Sequence, residues 1–187
     1  MQKQEYADYV DFAYAHDSNG QTIDNATAYA IAQHTLDNPR FALDQVSRGW
    51  DYVQVEGKYT FGINGSGCFS LYPGVKFFLR HGFLQQVPEE YHRFENDPAA
   101  RPRHAYDGLI VDAEYRPNIN LVANPRLYLQ YKTGYEPIAR FNTIRGEFGF
   151  YLFELPIAVY AQDGYVNSLA RYYKKARSFG VELRIAE

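Results

Sequence analysis

The sequence predicts an all-β chain of about eight antiparallel strands. Several stretches alternate apolar and polar residues with a period of two, and 18 Tyr and 13 Phe stand among the 187 residues. No run approaches the ~18 consecutive apolar residues that a membrane-spanning helix requires. Alternating segments rich in aromatic residues are typical of membrane β-barrels, but a soluble β-sandwich shows the same period, so the pattern alone leaves both architectures open.

Bulk composition narrows the function classes. The length fits one domain over residues 1–187, and 46% of the residues are hydrophobic. A net charge of −3 with scattered Lys and Arg gives no basic field, so no nucleic acid partner is expected. Cys68 is the only cysteine, which excludes an intramolecular disulfide and a cysteine-based metal site.

The first strand is predicted at residues 6–18. Val10, Phe12, Tyr14, His16 and Ser18 share its apolar face, because successive side chains of a strand point to opposite sides. Alternation predicts the other strands around 50–60, 69–80, 107–116, 126–132, 147–152, 157–162 and 178–185.

Two long connections interrupt this pattern, one from Gln21 to Val46 and one from about Gln85 to Tyr106. In the first, an N-cap candidate followed by alanines predicts a short surface helix over Asn25–Asp37. Long connections on one side of the strands and tight ones on the other suit a barrel of the outer-membrane type.

His16 and Ser18 carry the chemistry of the apolar face. The strand rise of ~3.3 Å per residue separates their α-carbons by about 6.6 Å, a gap that an imidazole base and a hydroxyl can bridge. A third group must hold the imidazole tautomer. Asp51 shares its face with Val53 and Val55, where an unpaired acid is costly, and is therefore the expected partner of His16. Asn25 is the rival candidate.

Two segments resemble the outer-membrane phospholipase A family. The motif "YAHDSNG" followed by "SRGWD" is similar to the active-site segment of that family, a strand-borne His-x-Ser-Asn-Gly and a later Ser-Arg-x-Trp-Asn. Residues 163–185 resemble its last hairpin. The resemblance implies a twelve-stranded antiparallel transmembrane β-barrel in the bacterial outer membrane, of which about eight strands are present here. An N-terminally truncated chain is therefore expected, and the alternative is a complete, compact relative, because eight strands can also close a small barrel.

The resemblance also implies an activity and a set of roles. The family hydrolyses phospholipid acyl esters on its lipid-facing wall, with A1/A2 and lysophospholipase activity. By position, His16 is the general base, Ser18 the nucleophile, Asp51 the orienting residue and Gly20 the oxyanion donor. The family uses Ca²⁺, for which Ser47 (through its hydroxyl) and Gln21 (through its carbonyl) are the expected ligands. A homodimer is a further expectation.

The sequence departs from the family at two of these positions: Asp51 replaces the usual Asn, and Gln21 replaces the common Arg. Two other functions remain open. One is a catalytically silent outer-membrane barrel with a structural or pore role, and the other is a soluble β-sandwich that acts as a binding module.

Overall fold

The computed structural model describes residues 8–35, 40–63, 65–79, 102–119, 123–165 and 171–184. In this part of the chain, eight strands form one antiparallel sheet in sequence order. They are β1 Tyr9–Ser18, β2 Gly49–Ile63, β3 Gly67–Leu79, β4 Leu109–Pro117, β5 Ala123–Thr133, β6 Thr143–Leu152, β7 Leu155–Tyr165 and β8 Lys175–Leu183. The predicted all-β class with eight antiparallel strands is confirmed.

Two helices lie between β1 and β2. Helix α1, Ala26–Thr35, confirms the predicted surface helix, and α2, Arg40–Asp44, was not expected from the sequence. Neither helix is long and apolar enough to cross a membrane. The second predicted long connection lies outside the described residues as far as Arg101, and its end forms a 3-10 turn over Arg103–Ala105.

Short and long connections lie at opposite ends of the sheet, as the sequence predicts. At one end, β6 and β7 are joined by Phe153 and Glu154, both with positive φ, which is the geometry of a tight two-residue hairpin turn. The opposite end carries the connections β1–β2, β3–β4, β5–β6 and β7–β8. His16 and Ser18 lie at this long-connection end, where β1 finishes.

A cluster of buried aromatic and aliphatic residues closes the long-connection end. The Trp50 ring at the start of β2 lies 5.4 Å from the Tyr172 ring just before β8. Six strand spacings of ~4.8 Å would hold β2 and β8 about 29 Å apart in a flat sheet, so the sheet must be strongly rolled. The cluster comprises Ile23, Tyr29, Ala42, Leu43, Val46, Trp50, Ala105, Tyr106, Tyr172 and Tyr173.

The rolled sheet remains open in the part of the chain that the structure describes. Strand β1 pairs only with β2, and β8 pairs only with β7. The backbone groups on the outer edges of β1 and β8 therefore have no ladder partner among these residues.

The outer face of the sheet is apolar and exposed. Leu127, Phe148, Val159 and Val181 are successive cross-strand partners from β5 to β8, and each exposes between 39% and 71% of its surface. Phe12 in β1 exposes 71%. Large apolar side chains thus occupy the exposed outer face of the described sheet.

The inner face carries paired charges. Glu114, only 7% exposed, accepts hydrogen bonds from Arg116 Nε and Arg126 Nε, both at 2.6 Å. Arg145 donates to Glu147 and to Glu182, each at 2.6 Å. The inner face therefore carries ion pairs, in which the buried carboxylates Glu114 and Glu147 are compensated by arginines.

Candidate active site

The register of β1 against β2 brings the predicted residues together on the outer face. His16 lies directly opposite Asp51, and Ser18 lies directly opposite Gly49. Directly opposed residues of an antiparallel pair point to the same side of the sheet. The predicted sharing of one face by His16, Ser18 and Asp51 is thus present in the structure, whereas their catalytic roles remain a prediction.

His16 and Asp51 form a short contact. The distance from His16 Nδ1 to Asp51 Oδ1 is 2.6 Å. Because an ionised carboxylate only accepts hydrogen bonds, a ring proton belongs on Nδ1, and in the neutral imidazole the lone pair then lies on Nε2. This is the tautomer that a general base acting through Nε2 requires.

The acid is enclosed although it belongs to the outer face. The Asp51 side chain has no exposed surface, whereas 25% of the His16 side chain is exposed. The Tyr14 hydroxyl donates to the second carboxylate oxygen, Oδ2, at 2.7 Å. Both oxygens of Asp51 therefore have partners, which offsets the cost of a carboxylate among apolar side chains.

The imidazole lies over Gly49. A Cβ built on Gly49 would lie 3.2 Å from His16 Cε1 and 3.6 Å from Nε2. Since Gly49 is the partner of Ser18, the ring leans along the sheet toward the serine. Ser18 is exposed, and its hydroxyl makes no hydrogen bond with any of the residues described. Approach of Ser18 Oγ to Nε2 would complete the arrangement, and such contacts often tighten only when substrate is bound.

The inner face braces the end of β1. Asp17, whose side chain points away from the site, accepts a hydrogen bond from Arg103 Nη1 at 2.7 Å. Arg103 also donates to Asp107 at 2.8 Å and lies over the Trp50 ring. Burial opposes the ionisation of Asp107, but Lys76 and Arg103 outweigh it and lower the pKa of this carboxyl. This network anchors the strand that carries His16 and Ser18.

Asn19 fastens the turn after β1 to the segment before β2. Its Nδ2 donates to the carbonyl of Val46 at 2.7 Å, and its Oδ1 accepts from the backbone N–H of Arg48 at 2.8 Å. The next residue, Gly20, is exposed and has φ +57°, a left-handed conformation that glycine adopts without strain. The turn that would present the Gly20 N–H to an oxyanion is therefore held in place by side-chain bonds.

The expected Ca²⁺ ligands lie on the two segments that Asn19 joins. Ser47 stands between the two residues that Asn19 contacts, and its N–H donates to the Ile23 carbonyl at 2.7 Å. The Gln21 N–H is turned toward Asn19 Oδ1 at 3.4 Å. A hydroxyl and a carbonyl oxygen are suitable donors for Ca²⁺, which takes six to eight oxygens, so these two residues fit as part of a ligand set. The described residues contain no group of three or more His, Cys, Asp or Glu side chains suited to a metal.

Asn25, the rival third member, occupies a different position. Its Oδ1 accepts the N–H of Ala28 at 2.8 Å, and its Nδ2 donates to Asp24 at 2.6 Å. It is therefore the N-cap of α1. The structure pairs His16 with Asp51 and leaves Asn25 in this capping role.

Sequence reasoning missed Tyr14 and Gly49 as parts of the site. The signal for Gly49 was available, because an antiparallel register that pairs His16 with Asp51 also pairs Ser18 with Gly49. Tyr14 lies on the same face two residues before His16, but its bond to Asp51 depends on side-chain geometry that alternation does not contain.

Comparison of the chain with protein-family models, with curated proteins and with solved structures finds no match.

Proposed function

We propose that this chain is a Ca²⁺-dependent phospholipase A of the bacterial outer-membrane type, which hydrolyses the acyl esters of phospholipids. The observation that carries the proposal is the short His16–Asp51 contact beside an exposed serine on an outward apolar face. A base with a fixed tautomer beside a hydroxyl is the arrangement that activates a serine nucleophile. In a membrane, the molecules that contact this apolar outer face are lipids.

The polarity of the sheet supports a membrane setting. Exposed apolar side chains extend from Phe12 in β1 to Phe179 in β8, with exposures of 71% and 89%. Large apolar side chains exposed across the whole width of a sheet are typical of a surface that contacts a membrane or a protein partner. Ion pairs on the inner face and apolar residues on the outer face match a transmembrane barrel. Such a barrel must also close, because lipid cannot satisfy the backbone edges of β1 and β8.

In the proposed reaction, Nε2 of His16 takes the proton from Ser18 Oγ as the oxygen attacks the acyl carbonyl. Asp51 holds the ring and stabilises the imidazolium that forms. The imidazolium then returns the proton to the departing lysophospholipid oxygen, and water releases the fatty acid from the acyl-serine in the same way. The Gly20 N–H would stabilise the oxyanion. Ca²⁺, held in part by Ser47 and Gln21, would supply positive charge there when bound.

One observation favours a second candidate, a catalytically silent barrel. Ser18 is not hydrogen-bonded to His16 in the described structure, so the pair could persist without catalysis. The inner-face ion pairs that join β4 to β5 and β6 to β8 are compatible with either the structural or the pore role of such a barrel. The homodimer expected from the sequence remains a prediction under either function.

The test is the exchange of Ser18 for alanine. Ser18→Ala removes the nucleophile but no packed side chain, so phosphatidylcholine hydrolysis in mixed detergent micelles should disappear. Ser178→Ala, which alters an exposed serine on β8, is the matched control and should remain active. Both variants should show the same heat resistance of the folded band on a gel.

Covalent labelling adds a measurement that does not depend on the choice of lipid. An alkyl fluorophosphonate should modify the wild-type chain and the Ser178→Ala variant but not the Ser18→Ala variant. Hydrolysis by Ser18→Ala at the wild-type rate would refute the proposed nucleophile. Partition of the chain into the aqueous phase during detergent extraction would favour the soluble sandwich.

A further inference from the structure

We propose that Tyr14 is a positioning residue of the same site, because its hydroxyl holds Asp51 in the orientation that presents one carboxylate oxygen to His16. The inference rests on the proposed function and deepens it. Tyr14 is not expected to touch the substrate ester. It acts through Asp51.

The geometry carries this inference. Tyr14 Oη lies 2.7 Å from Asp51 Oδ2, and His16 Nδ1 lies 2.6 Å from Asp51 Oδ1. Two partners on two different oxygens fix both the side-chain rotation and the plane of the carboxylate. Tyr14 and His16 are two residues apart on one strand. The backbone of β1 therefore sets the spacing of the hydroxyl and the imidazole that bind the Asp51 carboxylate.

The burial of Asp51 explains why its carboxylate needs the Tyr14 hydrogen bond. Asp51 is fully enclosed, while Tyr14 is 44% exposed on the apolar face. The tyrosine is thus placed with its ring outward and its hydroxyl directed back to the acid. Without the hydroxyl, Oδ2 would lose a hydrogen bond in surroundings where water cannot easily replace it. The carboxylate could then rotate and weaken its hold on the Nδ1 proton of His16.

The first experiment is Tyr14→Phe, which removes only the hydroxyl. A charge-assisted hydrogen bond of this kind corresponds to about a 10-fold change, and we expect it in kcat, with KM within about 2-fold of the wild type. Tyr59→Phe is the matched control: Tyr59 lies on the same outer face with 45% exposure, and its hydroxyl makes no hydrogen bond with a carboxylate of the described residues. This control should keep wild-type kinetics.

A double-mutant cycle separates positioning from packing. If Tyr14 acts through Asp51, then Tyr14→Phe should change kcat by less than about 2-fold when Asp51→Ala is already present. An equal loss in both backgrounds would show that the tyrosine acts independently of the acid. That result, or a single variant within about 2-fold of the wild type, would overturn the proposal.

A spectroscopic measurement keeps this inference distinct from the proposed function. In protein labelled with ¹⁵N-histidine and held in detergent micelles, the Nδ1–H signal of His16 should shift in Tyr14→Phe and stay in place in Tyr59→Phe. If the His16 signal shifts in Tyr14→Phe but the wild-type chain hydrolyses no phospholipid, the proposed function is refuted and the positioning role of Tyr14 is retained. An unchanged His16 signal in Tyr14→Phe would overturn the positioning role.

Discussion

The kcat of Asp51→Ala should be about two to three orders of magnitude lower than the kcat of Asp51→Asn. Alanine removes the acceptor that lies 2.6 Å from His16 Nδ1, so the imidazole tautomer is no longer fixed. In triads a wrongly fixed imidazole tautomer costs about 10⁴-fold, which sets the upper bound for this defect. The contact is fully enclosed on the Asp51 side, so water is poorly placed to substitute, and we expect a loss of about 10³- to 10⁴-fold.

Asparagine keeps an acceptor but loses the charge. A hydrogen bond to a charged group contributes about 1.5–3 kcal/mol and a neutral one about 1 kcal/mol, a difference of roughly 1.4 kcal/mol or about 10-fold. The amide must also point its oxygen at the ring. Tyr14 Oη, 2.7 Å from the second carboxylate oxygen, can accept from an amide N–H, which favours that orientation. We therefore expect Asp51→Asn to lose only about 10-fold.

The assay is the initial rate of phosphatidylcholine hydrolysis in mixed micelles, followed by titration of the released fatty acid. Asn25→Ala is the control, because its cap bond to Ala28 contributes about 1 kcal/mol to α1 and nothing to the imidazole. An Asp51→Ala variant within about 3-fold of the wild type would refute the reasoning. Equal losses in the Ala and Asn variants would refute the role assigned to the amide oxygen.

Three other predictions follow from the same structure. Gly49→Ala should lower kcat, because its Cβ would lie 3.2 Å from the catalytic imidazole, while Gly62→Ala, with nothing within 4 Å, should not; steady-state rates of the two variants compare them directly. Chelation of Ca²⁺ should abolish hydrolysis and leave the folded band on a gel heat-resistant, and Ser47→Ala should raise the Ca²⁺ concentration needed for half-maximal rate; activity that survives chelation would remove calcium from the site. The lowered pKa of Asp107 means that its contribution to stability is present above the ordinary aspartate pKa and is lost as the pH falls through the lowered value. Acid unfolding followed by the fluorescence of Trp50, the single tryptophan, should show this loss, and an unaltered acid transition in Asp107→Asn would contradict it.

Local pattern was sufficient for most of the fold. Within the described residues, alternation placed all eight strands and separated their apolar from their polar faces, because the period of two depends only on neighbouring residues. It also placed His16 and Ser18 together on one apolar face. Helix α2, Arg40–Asp44, was not predicted, because five residues are too few to show a helical period.

By itself the sequence determined the strands, their apolar and polar faces, and the candidate base and nucleophile on one of those faces. Only the tertiary structure decided that Asp51 lies opposite His16, because that register depends on how the 30 residues between β1 and β2 fold back. The tertiary structure also decided how Asp51 is enclosed on an apolar face, since its two carboxylate oxygens accept hydrogen bonds from the Tyr14 hydroxyl and the His16 ring. Such contacts join residues that are distant in sequence, and they arise from packing and side-chain rotation, which a local period does not contain.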